Sequence, residues 1–207
     1  MNLLIFGATR GCGRQLVDQA LTIGHQVTAF ARNAAAVPPR PNLTVVTGDA
    51  LDTSSVNSVL AGSKFDAVLS GLGSAQRGKD KVCSLGTQNI LAAMKQHGPR
   101  RLLVVSSIGV EPTFLSPMVK YLVVGVFLAE AHRDLRLMED AITATELDWT
   151  IVRPPRLLDG PRTGTYRVQL QREGSYLNDL NRADVADFML RELEQSQYVR
   201  KAPCLGY

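Results

Sequence analysis

Cysteine is scarce in this chain, and what there is does not pair. Cys12, Cys83 and Cys204 stand far apart with no C-x-x-C among them, which excludes a disulfide-built fold, a zinc knuckle and a redox dithiol. The expected setting is a reducing cytoplasm, and no metal site is expected. Aromatic residues make up 6% of the chain and nowhere interleave with a basic run. The net charge of +4 and a pI near 9.1 therefore describe scattered surface charge and not a nucleic-acid interface. The longest apolar run, residues 121–131, is too short to span a bilayer and contains Glu130. The first residues enter a strand-like segment directly, without a basic leader or cleavage site, so neither secretion nor membrane insertion is expected.

What remains is a chain of 207 residues, 45% hydrophobic and 20% charged, enough for one domain (1–207) with a full core of its own. Runs rich in Val, Ile and Leu fall at residues 3–6, 26–31, 43–47, 67–70, 102–106 and 149–152. Their hydrophobicity is continuous instead of alternating, which marks strands buried on both faces. Helical patterns separate most of them, at residues 12–23, 54–60, 79–97 and 133–145, several closed by Gly24, Gly62 or Gly98. Parallel neighbours need a crossover, so this order predicts an α/β fold: a Rossmann-like, doubly wound parallel sheet. Beyond Val152 the pattern changes to Pro154-Pro155-Arg156, an alternating stretch at 163–171, and a helix from the N-cap Asn181 through Glu194. Residues 153–207 are expected to form a small lobe on the substrate side.

The stretch FGATRGCG, residues 6–13, ends the first strand and opens the first helix. Gly7 permits the tight turn, Gly11 a close approach to phosphate, and Gly13 close packing of helix on strand. Free amides and the positive end of the helix dipole then face one spot, as a pyrophosphate requires. Thr9, Arg10 and Cys12 share this loop; no chemistry is assigned to the Cys12 thiol. The second strand ends in Arg32 and Asn33, where NAD enzymes carry a carboxylate for the ribose hydroxyls. Arg32 and Arg10 are read as partners for a 2′-phosphate, hence NADP (NADPH); the alternative is two solvated surface charges. Asp49, with Ala50 in GDALD, is placed to accept the adenine amino group or to close a turn. Gly71, Leu72 and Gly73 end the fourth strand with residues that let the cofactor pass.

In order along the chain, FGATRGCG, the basic end of strand two, GDALD, GTQNILAAMKQHG, VVSSIGV, DWTIVRPPRLLDGPRTGTYRV and NRADVADFML resemble the atypical short-chain dehydrogenase/reductases, the NAD(P)H-binding group with the biliverdin-IXβ reductase/flavin reductases and NmrA-like proteins. Two departures stand out. Arg10 replaces the middle glycine of the reductases' G-x-x-G-x-x-G, giving the G-x-x-x-G-x-G spacing of ordinary short-chain dehydrogenases. None of the five tyrosines is followed by lysine four residues on, so the Tyr-x-x-x-Lys acid is missing.

The resemblance implies catalysis by positioning, with a flat conjugated small molecule stacked on the nicotinamide. It makes Ser107 the active-site serine, beside Ser106, orienting the nicotinamide or a substrate oxygen; the alternative is a serine capping the next turn. Pro154, Pro155 and Arg156 are expected over the nicotinamide, Arg156 receiving an anionic acceptor or lying free on the surface. Arg153 reads as structural, with Asp184 as its partner. Of the histidines only His132, at the expected pocket mouth, is a functional candidate. The implied activity is NADPH-dependent reduction of a flavin, biliverdin-like or related acceptor, by a monomer. The alternatives are a non-catalytic NADP(H) sensor of the NmrA type and a tailoring reductase or isomerase of the same fold.

Overall fold

Leu3 and Ile5 of the first strand face one hydrophobic core, and Leu4 and Phe6 face another. A strand with both faces covered belongs at the centre of a sheet with helices on each side. The computed structural model, which describes residues 1–74, 78–118 and 128–207, has that architecture. Strands β1 (Asn2–Phe6), β2 (Gln26–Ala31), β3 (Leu43–Thr47), β4 (Ala67–Ser70), β5 (Arg101–Val105) and β6 (Asp148–Val152) form one parallel sheet in the order β3-β2-β1-β4-β5-β6. Helix α1 (Gly11–Thr22) lies between β1 and β2 in the chain, α2 (Thr53–Ala61) between β3 and β4, α3 (Val82–His97) between β4 and β5, and α4 (Ala129–Thr143) between β5 and β6.

The strand boundaries fall within a residue of those expected. β5 begins one residue earlier because Arg101 pairs in register with Asp148, a backbone relation that hydrophobicity does not report. Helix α3 begins at Val82 instead of residue 79, because Asp134 of α4 accepts the amides of Cys83 and Ser84 and so caps its first turn there. Residues 121–127 of the apolar run, Tyr121 among them, lie outside the described residues. Among the described residues no helix is long and apolar enough to cross a membrane.

After β6 come β7 (Leu157–Leu158), β8 (Arg167–Gln169), β9 (Leu180–Asn181), α5 (Arg182–Gln195) and β10 (Cys204–Gly206). Only the central part of the expected alternating stretch 163–171 is a strand. β7 pairs with β9 in parallel, and β10 closes antiparallel on β8. Helix α5 packs with α1 on one face of the sheet through Leu16, Val17, Val185 and Met189. Full burial of each such side chain stabilises by about 1.5–3 kcal/mol. Its far end is tied down by the buried Glu192, which accepts from Arg101 and from the amides of Gln197 and Tyr198. The small lobe is thus fastened to the sheet, which fixes where the start of α5 lies.

Candidate functional site

The strand order reverses direction of travel between β1 and β4, and at such a switch point the loops leaving the two strands part to form a crevice. Here the crevice is a cleft of about 640 Å³ lined by Gly7, Ala8, Thr9, Arg10, Gly11 and Cys12, by Arg32, Asp49 and Ala50, and by Gly71, Leu72, Gly73 and Ser106. Its floor depends on bare backbone. A Cβ on Gly7 would come 2.6 Å from the Gly71 carbonyl carbon, and one on Gly13 would come 2.2 Å from the Gly7 carbonyl oxygen. Gly13 therefore lies beneath the cleft as a packing residue. Gly11 differs: a Cβ there meets nothing closer than the Arg182 side chain at 3.7 Å, so its face opens on the cleft.

The helix ends tell the same story. Asp52 caps α2 and Asp134 caps α3 with carboxylates. The N-cap of α1 is Arg10, whose side chain makes no capping bond. The first-turn amides of α1 thus face the cleft with a helix dipole behind them and, among the described residues, no side chain capping them. A floor of glycines packed backbone to backbone, the open face of Gly11 and an uncapped helix end beside it fit a dinucleotide pyrophosphate.

Arg10 and Arg32 both line the cleft and are exposed, and among the described residues neither has a carboxylate or hydrogen-bond partner. Asn33 is spent capping the turn at Ala34–Ala36. Asp49 lines the cleft while its Oδ1 accepts the Leu51 amide at 3.0 Å, so the turn role is filled and the residue still borders the cleft. Cys12 is buried; burial above all, opposed by Arg182 and reinforced by Asp159, pushes its thiol up to about 12. It stays protonated and is no nucleophile.

Past β5 the two serines diverge. Ser106 donates its hydroxyl to Glu139 at 2.5 Å. Ser107 accepts the Gly109 amide at 3.2 Å, which caps the turn Ile108–Val110, and its Oγ lies 3.3 Å from His132 Nε2. The cap reading of Ser107 holds without excluding the other. Ser107 and His132 each directly follow a residue that lines the cleft, Ser106 and Ala131. Burial, partly opposed by the hydrogen bond to Leu128 and reinforced by Arg136, lowers the His132 pKa.

The proline loop departs from expectation. Pro154 is buried, its carbonyl accepting from Ile108, and neither it, Pro155 nor Arg156 lines the cleft; Leu157 and Asp159 do. Arg156 turns outward, its side chain 76% exposed, and is held by Asp179. Arg153 is structural as expected but with different partners: Glu139 binds it through two bonds and Glu111 flanks it. Asp184 instead accepts the amides of Thr163 and Gly164 and the hydroxyl of Tyr207. Tyr166 donates to Asp187 in the same lobe. Sequence reasoning missed Arg182, which reaches the cleft from the start of α5, because no local pattern marks a tertiary approach.

Proteins of this shape are known. YwnB of Bacillus subtilis is 26% identical over 212 residues, spanning 96% of this chain and 94% of its own. The solved structure of ChuY from Escherichia coli O157:H7, described as an anaerobillin reductase, is 27% identical with a TM-score of 0.83, covering 100% of this chain and 97% of its own. The oxidoreductase ylbE of Lactococcus lactis is 25% identical with a TM-score of 0.83, covering 100% and 90%. The sequence profile described as NAD(P)H-binding matches residues 7–196, from the phosphate loop to the end of α5. The chain belongs to this NAD(P)H-binding family of Rossmann-like, atypical short-chain dehydrogenase/reductases.

Proposed function

We propose that this chain is an NADPH-dependent reductase of a flat conjugated acceptor, a flavin or a linear tetrapyrrole. The observation that carries the reading is the Ser107–His132 pair beside the cleft in a chain without the Tyr-x-x-x-Lys acid. The similarity to ChuY supports a tetrapyrrole-like acceptor.

When bound, the nicotinamide supplies hydride; the chain's residues position and select. The α1 amides and Gly11 receive the pyrophosphate, while Arg10 and Arg32 select the 2′-phosphate. Leu128 O accepts from His132 Nδ1, so that nitrogen carries the proton and Nε2 keeps its lone pair. The Ser107 hydroxyl then donates to His132, accepts from Gly109, and is held in one orientation at the cleft's edge. A serine hydroxyl with its high pKa is a poor acid, so the pair orients the nicotinamide or acceptor and the proton comes from solvent.

The test is NADPH consumption against flavins, biliverdins, quinones and dyes. Turnover with a flavin or tetrapyrrole supports the reading. NADPH binding without turnover of any acceptor replaces it with the sensor.

A further inference from the structure

Arg10 and Arg32 stand open at the cleft, but a third arginine there does not. Arg182, the first residue of α5, lies across the exposed face of Gly11, its Nε 3.7 Å and its Cδ 3.8 Å from where a Cβ would stand. Its NH1 is 2.8 Å from Asp159 Oδ1. The register of β7 on β9 creates this pair: Leu157 faces Leu180, Leu158 faces Asn181, and the next residues on each strand are Asp159 and Arg182. The two ends differ in setting. The Arg182 side chain is 29% exposed and that of Asp159 is 90% exposed.

This arrangement is odd for an anion site. Asp159 puts a negative charge on the wall of a cleft whose floor is built for phosphate. An exposed carboxylate on a loop is poorly held and easily exchanged for a better anion. The arginine it occupies is held in place, since its helix is packed on α1 and Asn181 beside it donates to Pro161 O. Arg182 also acts electrostatically on Cys12 inside the loop, which puts its charge within range of the α1 amides.

Resting on the dinucleotide reading of the cleft, we propose that Arg182 is a pyrophosphate-binding residue supplied by the C-terminal lobe, and that Asp159 is a stand-in anion which the pyrophosphate displaces. The α1 amides take the pyrophosphate from the sheet side and Arg182 takes it from the lobe side. Cofactor binding then exchanges one ion pair for another. Asp159 sets the affinity by competing, so this chain holds its cofactor less tightly than its three arginines allow.

Calorimetric titration of the purified protein with NADP⁺, ADP and adenosine 2′-monophosphate tests this, since ADP carries the diphosphate alone and the monophosphate only the 2′-phosphate. Arg182→Gln is expected to weaken NADP⁺ and ADP by about tenfold and leave the 2′-monophosphate within about twofold. Asp159→Asn, at a side chain 90% exposed, is expected to tighten NADP⁺ and ADP by about threefold. The double variant should match Arg182→Gln. If the pair only fastens the lobe, both single variants lower the melting temperature and neither moves ADP affinity; that result, or weaker binding by Asp159→Asn, overturns the proposal. Wild-type protein that takes up no NADP⁺ overturns the dinucleotide reading and this proposal with it.

Discussion

Ser107 Oγ lies 3.3 Å from His132 Nε2, and the histidine's other nitrogen lies 2.9 Å from the Leu128 carbonyl oxygen. A carbonyl only accepts, so Nδ1 carries the proton, and in the neutral ring Nε2 turns its lone pair toward the serine. Burial holds its pKa below the ordinary value of about 6.5, the Leu128 bond partly opposing. As pH falls, the unfolded chain therefore takes up the proton first. The histidine's contribution to stability declines from pH about 6.5 down to the folded pKa and then levels off. Activity should follow the folded pKa, with an acid limb below pH about 6.5 that is absent in His132→Asn. A pH profile of kcat for both proteins checks this.

If Ser107 orients and does not donate a proton, Ser107→Ala lowers kcat only about tenfold, since a lost neutral hydrogen bond is worth about 1 kcal/mol. An essential proton donor costs more, about 10²- to 10⁴-fold. Steady-state kinetics with NADPH affinity measured alongside separates the two.

Arg10 and Arg32 meet no carboxylate among the described residues, and β2 ends without one. NADPH should bind at least about tenfold more tightly than NADH, as a charge-assisted contact worth about 1.5–3 kcal/mol implies. Arg32→Ala should erase most of that difference and leave NADH unchanged. Fluorescence titration gives both constants.

Gly13→Ala is expected to destabilise severely, by at least about 3 kcal/mol, because its Cβ would lie 2.2 Å from a backbone oxygen that has nowhere to go. Gly24→Ala meets open space and pays only for its φ of +88°, about 1 kcal/mol. Denaturant midpoints rank the two.

Arg156→Ala should leave NADPH affinity, KM for a flavin phosphate and melting temperature unchanged. Its guanidinium points to Asp179 on the surface, away from the cleft. A raised KM for FMN with riboflavin spared would restore the reading taken from its place in the proline loop.

That residue marks the limit of what was legible. The phosphate loop could be read because its chemistry is local: three glycines in seven residues, between a buried strand and a helix, leave few other uses. The six central strands could be read because burial on both faces writes itself as continuous hydrophobicity. Arg153 found Glu139 instead of Asp184 because α4 brings a carboxylate beneath the end of β5, where Ser106 also reaches it. Strands β7, β9 and β10 are two or three residues long and exist only through distant partners, such as Arg153 with Cys204. Arg182 and Asp159 come together by that pairing alone, so neither segment announces it.

The central claim is that hydride leaves NADPH in this cleft for a conjugated acceptor. The direct measurement is a single turnover with NADPH deuterated at the transferring carbon, followed by mass analysis of the reduced tetrapyrrole, whose new C–H bond keeps the label, and by the isotope effect on NADPH oxidation for a flavin, whose N5–H exchanges with water. Label in the reduced tetrapyrrole, and transfer slower than with unlabelled NADPH for either acceptor, is the expected result. NADPH that stays bound and unoxidised with every acceptor contradicts it.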